Sequence, residues 1–218
     1  AASDVYKRQP IIVGLSMNSS IVEIILSLVI AYLLGSIPSG VWIGKVFFHI
    51  DIRRHGSGNI GTTNTYRILG PVAGSIVMIM DISKGAVATL LPSMLHISGI
   101  SPLIFGLAAI LGHTFSIFDH FKGGKAVATS AGMLLAYQPL MFGVAAGVWI
   151  VMILLTSMVS LASLVAFPCV TIAIFFTHDT FLFILAVILT GFIYYRHRGN
   201  IKRIIKGCLL YTSDAADE

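Results

Sequence analysis

The chain has a basic, glycine-rich segment whose residue types suit the binding of phosphate groups. Residues 53–67, here called the glycine loop, have the sequence Arg-Arg-His-Gly-Ser-Gly-Asn-Ile-Gly-Thr-Thr-Asn-Thr-Tyr-Arg. Glycine adopts positive φ at little cost, so successive backbone N–H groups can point toward one anion. Hydroxyls at Ser57, Thr62 and Thr63 add donors, and the arginines add charge in a planar fork. The segment predicts an anion site; the alternative is a flexible loop whose arginines serve only membrane topology.

The glycine spacing also matches two nucleotide-binding motifs, and the surrounding sequence argues against both. Gly56-x-Gly58-x-x-Gly61 is the dinucleotide fingerprint, which works only between a strand and a helix of a βαβ unit. Gly56 and Gly61 have phosphate-loop spacing, but Thr62 stands where that motif needs lysine. Neither motif therefore predicts a nucleotide site here.

Two further basic segments could serve the same anion. Residues 121–130 form a glycine turn with Lys122 and Lys125 at a predicted helix start, where free N–H groups attract negative charge. In residues 196–203, His197 and Asn200 share a face if the helix continues. Each segment also has a purely topological interpretation, as a charge cluster beside a membrane span.

Two features fall inside apolar runs. Asp81 and Lys84, at i and i+3, can pair with each other; intramembrane charge is normally paired or functional, and the spacing leaves both interpretations open. The segment Gly35-Ser36-Ile37-Pro38-Ser39-Gly40 predicts a kink or a close helix approach in the first span.

The elements that hold these residues are predicted to be membrane helices. Hydrophobic residues make up 56% of 218, charged residues 11%, and the mean hydropathy is +0.93. We predict an all-α, polytopic membrane helix bundle with about seven transmembrane helices, each near the ~20 residues that cross a bilayer. The candidate spans are residues 21–44, 69–92, 101–118, 126–141, 141–158, 161–177 and 180–196. The 126–158 region is the least regular, so five or six spans remain an alternative.

Charge placement predicts the orientation. Eleven of the fourteen Lys and Arg residues fall in residues 45–67, 122–125 and 196–206. With seven spans these segments share one side, which the positive-inside rule makes cytoplasmic, with the N-terminus outside and the C-terminus inside. Because the basic residues are confined to short loops, nucleic acid is not expected as a partner. Cysteine and histidine spacing predicts neither a disulfide framework nor a metal site, and nothing indicates a protein partner.

The two ends differ in character from the rest of the chain. Residues 1–16 and 208–218 resemble translated read-through, and we expect them to be non-native segments. Residues 17–207 are then expected to form a single membrane domain.

Six short motifs occur in one order and together are highly specific. The chain resembles the bacterial acyl-phosphate:glycerol-3-phosphate acyltransferase family, integral membrane enzymes, from about residue 21 to residue 207. The motifs are Gly35-Ser36-Ile37-Pro38, Gly56-Ser57-Gly58-Asn59-x-Gly61-x-Thr63-Asn64-x-x-Arg67, Asp81-x-x-Lys84-Gly85, Gly112-His113-x-Phe115, Phe121-Lys122-Gly123-Gly124-Lys125 and Arg196-His197-x-x-Asn200-Ile201.

The resemblance implies a reaction and a site. A fatty acyl group would pass from acyl phosphate to the 1-hydroxyl of sn-glycerol 3-phosphate, giving lysophosphatidic acid and phosphate, the first acylation in bacterial phospholipid synthesis. The site would face the cytoplasm at the bacterial inner membrane and use no cofactor or metal. Glycerol 3-phosphate would be bound by Ser57, Arg67, Lys125, Ser163 (preferred over Ser160), His197 and Asn200. The donor phosphate would meet Asn59, Ile60, Gly61, Thr62 and Thr63, chiefly through backbone groups. Catalytic roles would fall to Ser57, Arg67, Lys125 and His197.

The proton acceptor is left open by the sequence. Soluble glycerolipid acyltransferases have four residues between a His and an Asp, whereas five residues lie between His113 and Asp119. A substrate phosphate or His197 is therefore expected to take the hydroxyl proton.

Two departures from the family pattern concern Ala126, which stands at a usual glycine, and the segment after Gly207, where the family has a short tail with glutamate. If Ala126 needs positive φ, it costs about 1 kcal/mol.

Two other functions are considered. A transporter or channel for a phosphorylated solute or ion would use Asp81 and Lys84 as pathway residues, although the chain has no visible internal repeat. An alcohol phosphatidyltransferase would need an array of metal-binding aspartates, which the sequence lacks.

Overall fold

A computed structural model describes residues 20–206, and within this range the regular structure is entirely helical. The predicted all-α class is confirmed. The predicted non-native segments, 1–16 and 208–218, lie outside the described residues. The α-helices of the described range are α1 (Ile21–Ser36), α2 (Ser39–Phe47), α3 (Thr62–Met94), α4 (Pro102–Thr114), α5 (Val127–Tyr137), α6 (Pro139–Thr156), α7 (Val159–Phe175), α8 (Thr180–Arg196) and α9 (Arg198–Ile205), with 3-10 turns at Ile52–Arg54 and Ile117–Asp119.

Each of the seven apolar runs contains a helix, but the helices differ in length. Helices α3 and α6, and α4 with its following turn, are long and apolar enough to cross a membrane. The pairs α1–α2 and α8–α9, bent by 48° and 61°, would raise the number to five. Helices α5 and α7 are apolar but shorter. Seven spans, and the sides on which the termini lie, remain predictions.

The kink predicted in the first span separates α1 from α2. The chain leaves the helical conformation at Ile37 and Pro38, because proline has no N–H to continue the hydrogen-bond ladder. Lys84 donates to the exposed carbonyl of Ile37 at 2.9 Å. Lys84 also lies 2.8 Å from Asp81, which accepts from the Ser39 hydroxyl at 2.9 Å. The buried pair therefore satisfies the polar groups that the break exposes, which favours its structural interpretation.

Helix α3 begins earlier than predicted. It starts at Thr62, whereas the apolar run starts near residue 69, and it is interrupted at Gly70, whose φ of 85° and ψ of 178° are not helical. The polar residues between Thr62 and Gly70 hid this first segment from a search for apolar runs. Arg67 consequently lies inside the first segment of α3, and not at the start of the second span as the sequence suggested.

Glycines allow α3 and α5 to pack backbone against backbone. A Cβ on Gly85 would lie 2.1 Å from the carbonyl oxygen of Thr129, and one on Gly132 would lie 1.9 Å from that of Ile82. No real Cβ approaches so closely, so both positions require glycine. This contact fixes α5, and with it the turn that carries Lys125, against the helix that carries Arg67.

Candidate active site

A cavity of about 420 Å³ lies among α3, α5, α6, α7 and α8. One end is polar, and the remainder is lined by apolar side chains of α5 to α8. The polar end gathers residues that the sequence proposed from the three basic segments, together with Ser163 of α7. These lining residues are Ser57, Asn59, Gly61, Thr62, Thr63, Arg67, Lys125, Ser163, His197 and Asn200.

Ile60 is the one proposed site residue that does not line this cavity. Its side chain is buried in a small apolar cluster with Val41 and Ile52, beneath the glycine loop. The sequence assigned Ile60 a role through its backbone, and the structure leaves that role untested.

Asn64 holds the glycine loop in place, and the sequence analysis assigned it no role. Its buried side chain accepts from the Ser57 N–H at 3.0 Å and donates to the carbonyls of Ile52 and His55 at 3.0 and 3.2 Å. One amide therefore joins both arms of the loop to the first turn of α3. Its position within the polar motif was the only signal in the sequence.

The start of α3 forms the anion-attracting part of the loop. The N–H groups of Asn59 and Gly61 are used within the loop, by the Ser57 hydroxyl at 3.4 Å and the Asn59 side chain at 2.9 Å. Gly61 precedes the helix in an extended conformation and provides no side-chain cap. The first-turn N–H groups, those of Thr62 and Thr63 among them, have no partner within the helix and carry its positive dipole end. The binding of a phosphate by residues 59–63 stays a prediction.

A chain of hydrogen bonds crosses the polar end from α5 to α7. Lys125 Nζ donates to Asn200 Oδ1 at 2.8 Å, and Asn200 Nδ2 donates to the Ser160 hydroxyl. Ser163 donates to the Val159 carbonyl at 2.9 Å and accepts from Trp149 Nε1 at 3.2 Å. Ser160, which the sequence ranked second, is thus linked to Lys125 through Asn200, while Ser163 lies where the lining turns apolar.

His197 is buried and held in one tautomer. Its Nδ1 lies 2.9 Å from the Ile193 carbonyl, which can only accept, so Nδ1 carries the proton and Nε2 keeps its lone pair. Burial, reinforced by the charge of Lys125, lowers the pKa of His197 from 6.5 to about 4. The imidazole is therefore neutral at physiological pH.

Lys125 lies in a strongly positive environment. Burial, together with the charges of Arg203, Arg196 and Arg67, lowers the pKa of Lys125 from 10.5 to about 8. A bound anion would offset this repulsion, because it adds an opposite charge beside Lys125 and the arginines. The polar end is therefore suited to a phosphate dianion.

Arg196 supports the turn that carries Lys125. Its guanidinium donates to the carbonyls of Gly123 and Gly124 at 2.9 and 2.8 Å. Ala126, which follows Lys125, has a φ of 62°. The backbone at this usual glycine position therefore does need a positive φ, and alanine is strained there. From the sequence, Arg196 was identified only as a member of the last motif and of a basic segment beside a membrane span.

Arg53 has a structural role that the sequence did not indicate. It donates through Nε to Asp51 at 2.8 Å and pairs with the buried Asp119. The Arg53–Asp119 ion pair ties the glycine loop to the turn after α4. The hydrogen bond from Arg53 to Asp51 holds the pKa of Asp51 well below its usual range. Arg53 thus has partners within the protein, whereas Arg54 is exposed, as the topological interpretation of the loop expects.

Within residues 20–206, no group of three or more His, Cys, Asp and Glu side chains has the proximity needed to hold a metal ion. The positive groups at the polar end are instead side-chain cations and a helix N-terminus. The arrangement can bind and neutralise phosphate, and the adjoining apolar space can hold a long hydrocarbon chain.

Comparisons with known proteins match this arrangement. The family model described as glycerol-3-phosphate acyltransferase matches residues 25–207. The glycerol-3-phosphate acyltransferase of Levilactobacillus brevis is 62% identical over 184 residues, covering 83% of this chain and 89% of that protein. The protein of the same name from Enterococcus faecalis is 54% identical over 195 residues, covering 85% and 90%.

Two solved structures are similar in fold. Both are crystal structures of PlsY (YgiH), an integral membrane glycerol 3-phosphate acyltransferase, in a glycerol 3-phosphate form and a lysophosphatidic acid form. The first has a TM-score of 0.80 at 35% identity, and the second a TM-score of 0.77 at 34% identity. Each alignment covers 87% of this chain and 95% of the other.

Proposed function

The chain belongs to the glycerol-3-phosphate acyltransferase family and is an integral membrane enzyme, and we propose that its cavity transfers a fatty acyl group from acyl phosphate to the 1-hydroxyl of sn-glycerol 3-phosphate. The products are lysophosphatidic acid and phosphate. The observation that carries this proposal is the union of a basic, phosphate-sized end with a long apolar compartment in one cavity.

The polar end has two groups of donors for two phosphates. The start of α3, with Thr62 and Thr63, suits the phosphate of the donor, because no side-chain cap competes for its first-turn N–H groups. Glycerol 3-phosphate is assigned to the basic side chains and their partners. These are Ser57, Arg67, Lys125, Ser163, His197 and Asn200, with Ser160 added because it binds Asn200.

The reaction itself needs positioning more than activation. The 1-hydroxyl oxygen attacks the acyl carbonyl, the bond between that carbon and the phosphate oxygen breaks, and phosphate leaves with the electron pair. Acyl phosphate is a mixed anhydride with a good leaving group. Arg67 and Lys125 neutralise the two anions, which would otherwise repel each other, and stabilise the charge that develops on the carbonyl oxygen.

The hydroxyl proton is assigned to a phosphate oxygen. A phosphate has its second pKa near 6 and so offers a basic oxygen at physiological pH, whereas burial lowers the pKa of His197 to about 4 and weakens it as a base. His197 would then orient the hydroxyl through Nε2. A pH–rate profile that loses its acidic limb when His197 is replaced by Gln, in protein that still binds substrate, would instead assign the proton to His197.

The cytoplasmic location of the site rests on charge placement. The three basic segments meet at one end of the helices, and positively charged loops are retained on the cytoplasmic side. We assign the chain to the bacterial inner membrane for the same reason, with the soluble substrate entering from the cytoplasm and the acyl donor from the bilayer.

A transport function is less compatible with this cavity. Its lining changes from mainly polar to mainly apolar along α7 and α8, which suits an acyl chain better than a phosphorylated solute, although Asp81, His113 and Thr171 also line it. Asp81 and Lys84 pair with each other and with the α1–α2 break, which explains them without a solute pathway.

The proposal is tested with purified protein and three donors. We expect lysophosphatidic acid from glycerol 3-phosphate and palmitoyl phosphate, and no product from palmitoyl-CoA or palmitoyl-acyl carrier protein, because the site fits a bare phosphate. A Lys125→Ala variant, which removes a proposed phosphate ligand, provides the inactive control. Equal rates with all three donors would contradict the assignment of the donor.

A further inference from the structure

The apolar compartment of the cavity follows a single face of α7 and of α8. On α8 the lining residues are Leu182, Ala186 and Leu189, followed by His197 at the polar end. Their spacing is that of one helical face. On α7 the lining extends in the same way from Ser160 to Ile174. The compartment therefore has a defined direction, away from the phosphate site.

The two helices give similar lengths for the whole cavity, including its polar end. His197 and Leu182 are fifteen residues apart, which at ~1.5 Å per residue is about 22 Å. Ser160 and Ile174 are fourteen residues apart, or about 21 Å by the same measure. The apolar part, from Ser163 to Ile174, spans eleven residues, or about 17 Å.

At the far end of the compartment each of α5 to α8 contributes its outermost lining residue. We call these four residues the floor: Leu134, Phe142, Ile174 and Leu182. Close to them in the sequence, Tyr137 donates to Asp179 at 2.8 Å, and Asp179 accepts from the Leu182 N–H at 2.9 Å. These hydrogen bonds tie the end of α5 to the start of α8 beside Leu182.

We propose that this floor sets an upper limit to the acyl-chain length that the enzyme accepts, with Leu182 and Ile174 as the residues that determine it. The proposal rests on the function proposed above, since it assigns the apolar compartment to the acyl chain of the donor.

The physical reason makes the limit one-sided. An acyl chain that enters from the bilayer leaves one apolar environment for another, so a shorter chain loses little by filling the compartment incompletely. A chain that is too long has to displace the packed side chains of the floor, which close-packed interiors resist. The rate should stay level with increasing chain length and then fall.

Competition within one reaction measures this limit. Lauroyl, palmitoyl and behenoyl phosphate are supplied together with glycerol 3-phosphate, and the three products are quantified by mass spectrometry. We expect comparable use of lauroyl and palmitoyl and at least tenfold poorer use of behenoyl. Because the product ratio comes from a single sample, it does not depend on how much of a variant folds.

Three variants separate the floor from the rest of the core. Leu182→Ala and Ile174→Ala deepen the compartment and should raise the behenoyl share by about tenfold. Leu182→Trp should lower the palmitoyl share relative to lauroyl. Leu185→Ala is the matched control, because Leu185 is a buried leucine of α8 in the same cluster that does not line the cavity.

The outcomes are distinguishable. Equal use of all three chains by the unmodified protein would overturn the proposal and would mean that long chains leave sideways between helices. Product ratios that are unchanged in Leu182→Ala and Ile174→Ala, or changed equally in Leu185→Ala, would also overturn it. Absence of product with every acyl phosphate would instead count against the proposed function itself.

Discussion

At the scale of single residues, the arginines of the glycine loop have different tasks. Arg67 lines the cavity, Arg53 pairs with Asp51 and Asp119, and Arg54 is exposed. The type of residue and its position in the motif could predict the first of these. The second depends on an aspartate far away in the chain, which a single sequence cannot reveal.

Arg67→Lys keeps the charge and removes the planar fork that binds phosphate in two places. We expect kcat/KM to fall by roughly thirty- to more than a hundredfold, or about 2–3 kcal/mol of transition-state stabilisation. Steady-state kinetics on correctly inserted protein measure this. Arg54→Lys is the control and should leave activity near normal. Normal activity in both variants would show that charge alone suffices at position 67.

Lys125 predicts a pH dependence. In the proposed site its protonated form binds phosphate, and its pKa of about 8 means that this form is lost as the pH rises through 8. The profile of kcat/KM, which reports the free enzyme, should therefore fall above pH 8. Both substrates stay ionised there, because the second pKa of a phosphate is near 6.

Lys125→Arg identifies the group responsible. Arginine stays charged throughout, so the alkaline limb should disappear even if the maximal rate is lower. An unchanged limb near pH 8 in the variant would assign the titration to another group.

At the scale of elements, apolar runs located α1 to α8 but not their limits, and they did not indicate the polar α9. Helix α3 begins within polar sequence, and the separate α2 and α9 follow bends that hydropathy does not record. The α1–α2 kink was predictable, because Pro38 breaks a helix by its own geometry. The hydrogen bond from Lys84 to the Ile37 carbonyl at this kink was not predictable, since it requires the packing of α3 against the break.

The Asp81–Lys84 pair should act as a brace for that break. Asp81→Asn or Lys84→Met alone leaves a buried charge and should destabilise the protein by about 3–5 kcal/mol. The double variant should cost clearly less than the sum. Unfolding by SDS titration in mixed micelles gives the free energies, with the exposed Ser83→Ala as control. Strictly additive costs would show that the two side chains do not depend on each other.

At the scale of the whole molecule, the site requires three basic segments on one side of the membrane. Single cysteines at Arg54, Lys122 and Gly199, with the native cysteines replaced, should all be labelled by an impermeant thiol reagent from the cytoplasmic side only. Lys122 is chosen over Gly124, because a Cβ on Gly124 would lie 2.2 Å from the His113 ring. Labelling of any one position from outside would rule out the predicted topology.

The overall architecture explains how much of the site the sequence could give. Residue types and motif order predicted that Ser57, Lys125 and His197 belong to one site, and all three line one cavity. The shape of the apolar compartment could not be foreseen, because it depends on which face each of four helices turns inward. Only the packed structure supplies that information.

Helix α5 has eleven residues and is about 16 Å long, roughly half of the ~30 Å hydrocarbon core. Its end at Tyr137 is level with the start of α8, which continues for 17 residues, or about 25 Å. Lys125 lies in the turn before this short helix, and its Nζ donates to Asn200 in α9. In the proposed reaction the water-soluble reactant would therefore come to the acyl donor inside the helix bundle. Each methylene of the donor that is kept from water in this way would avoid a cost of about 0.8 kcal/mol.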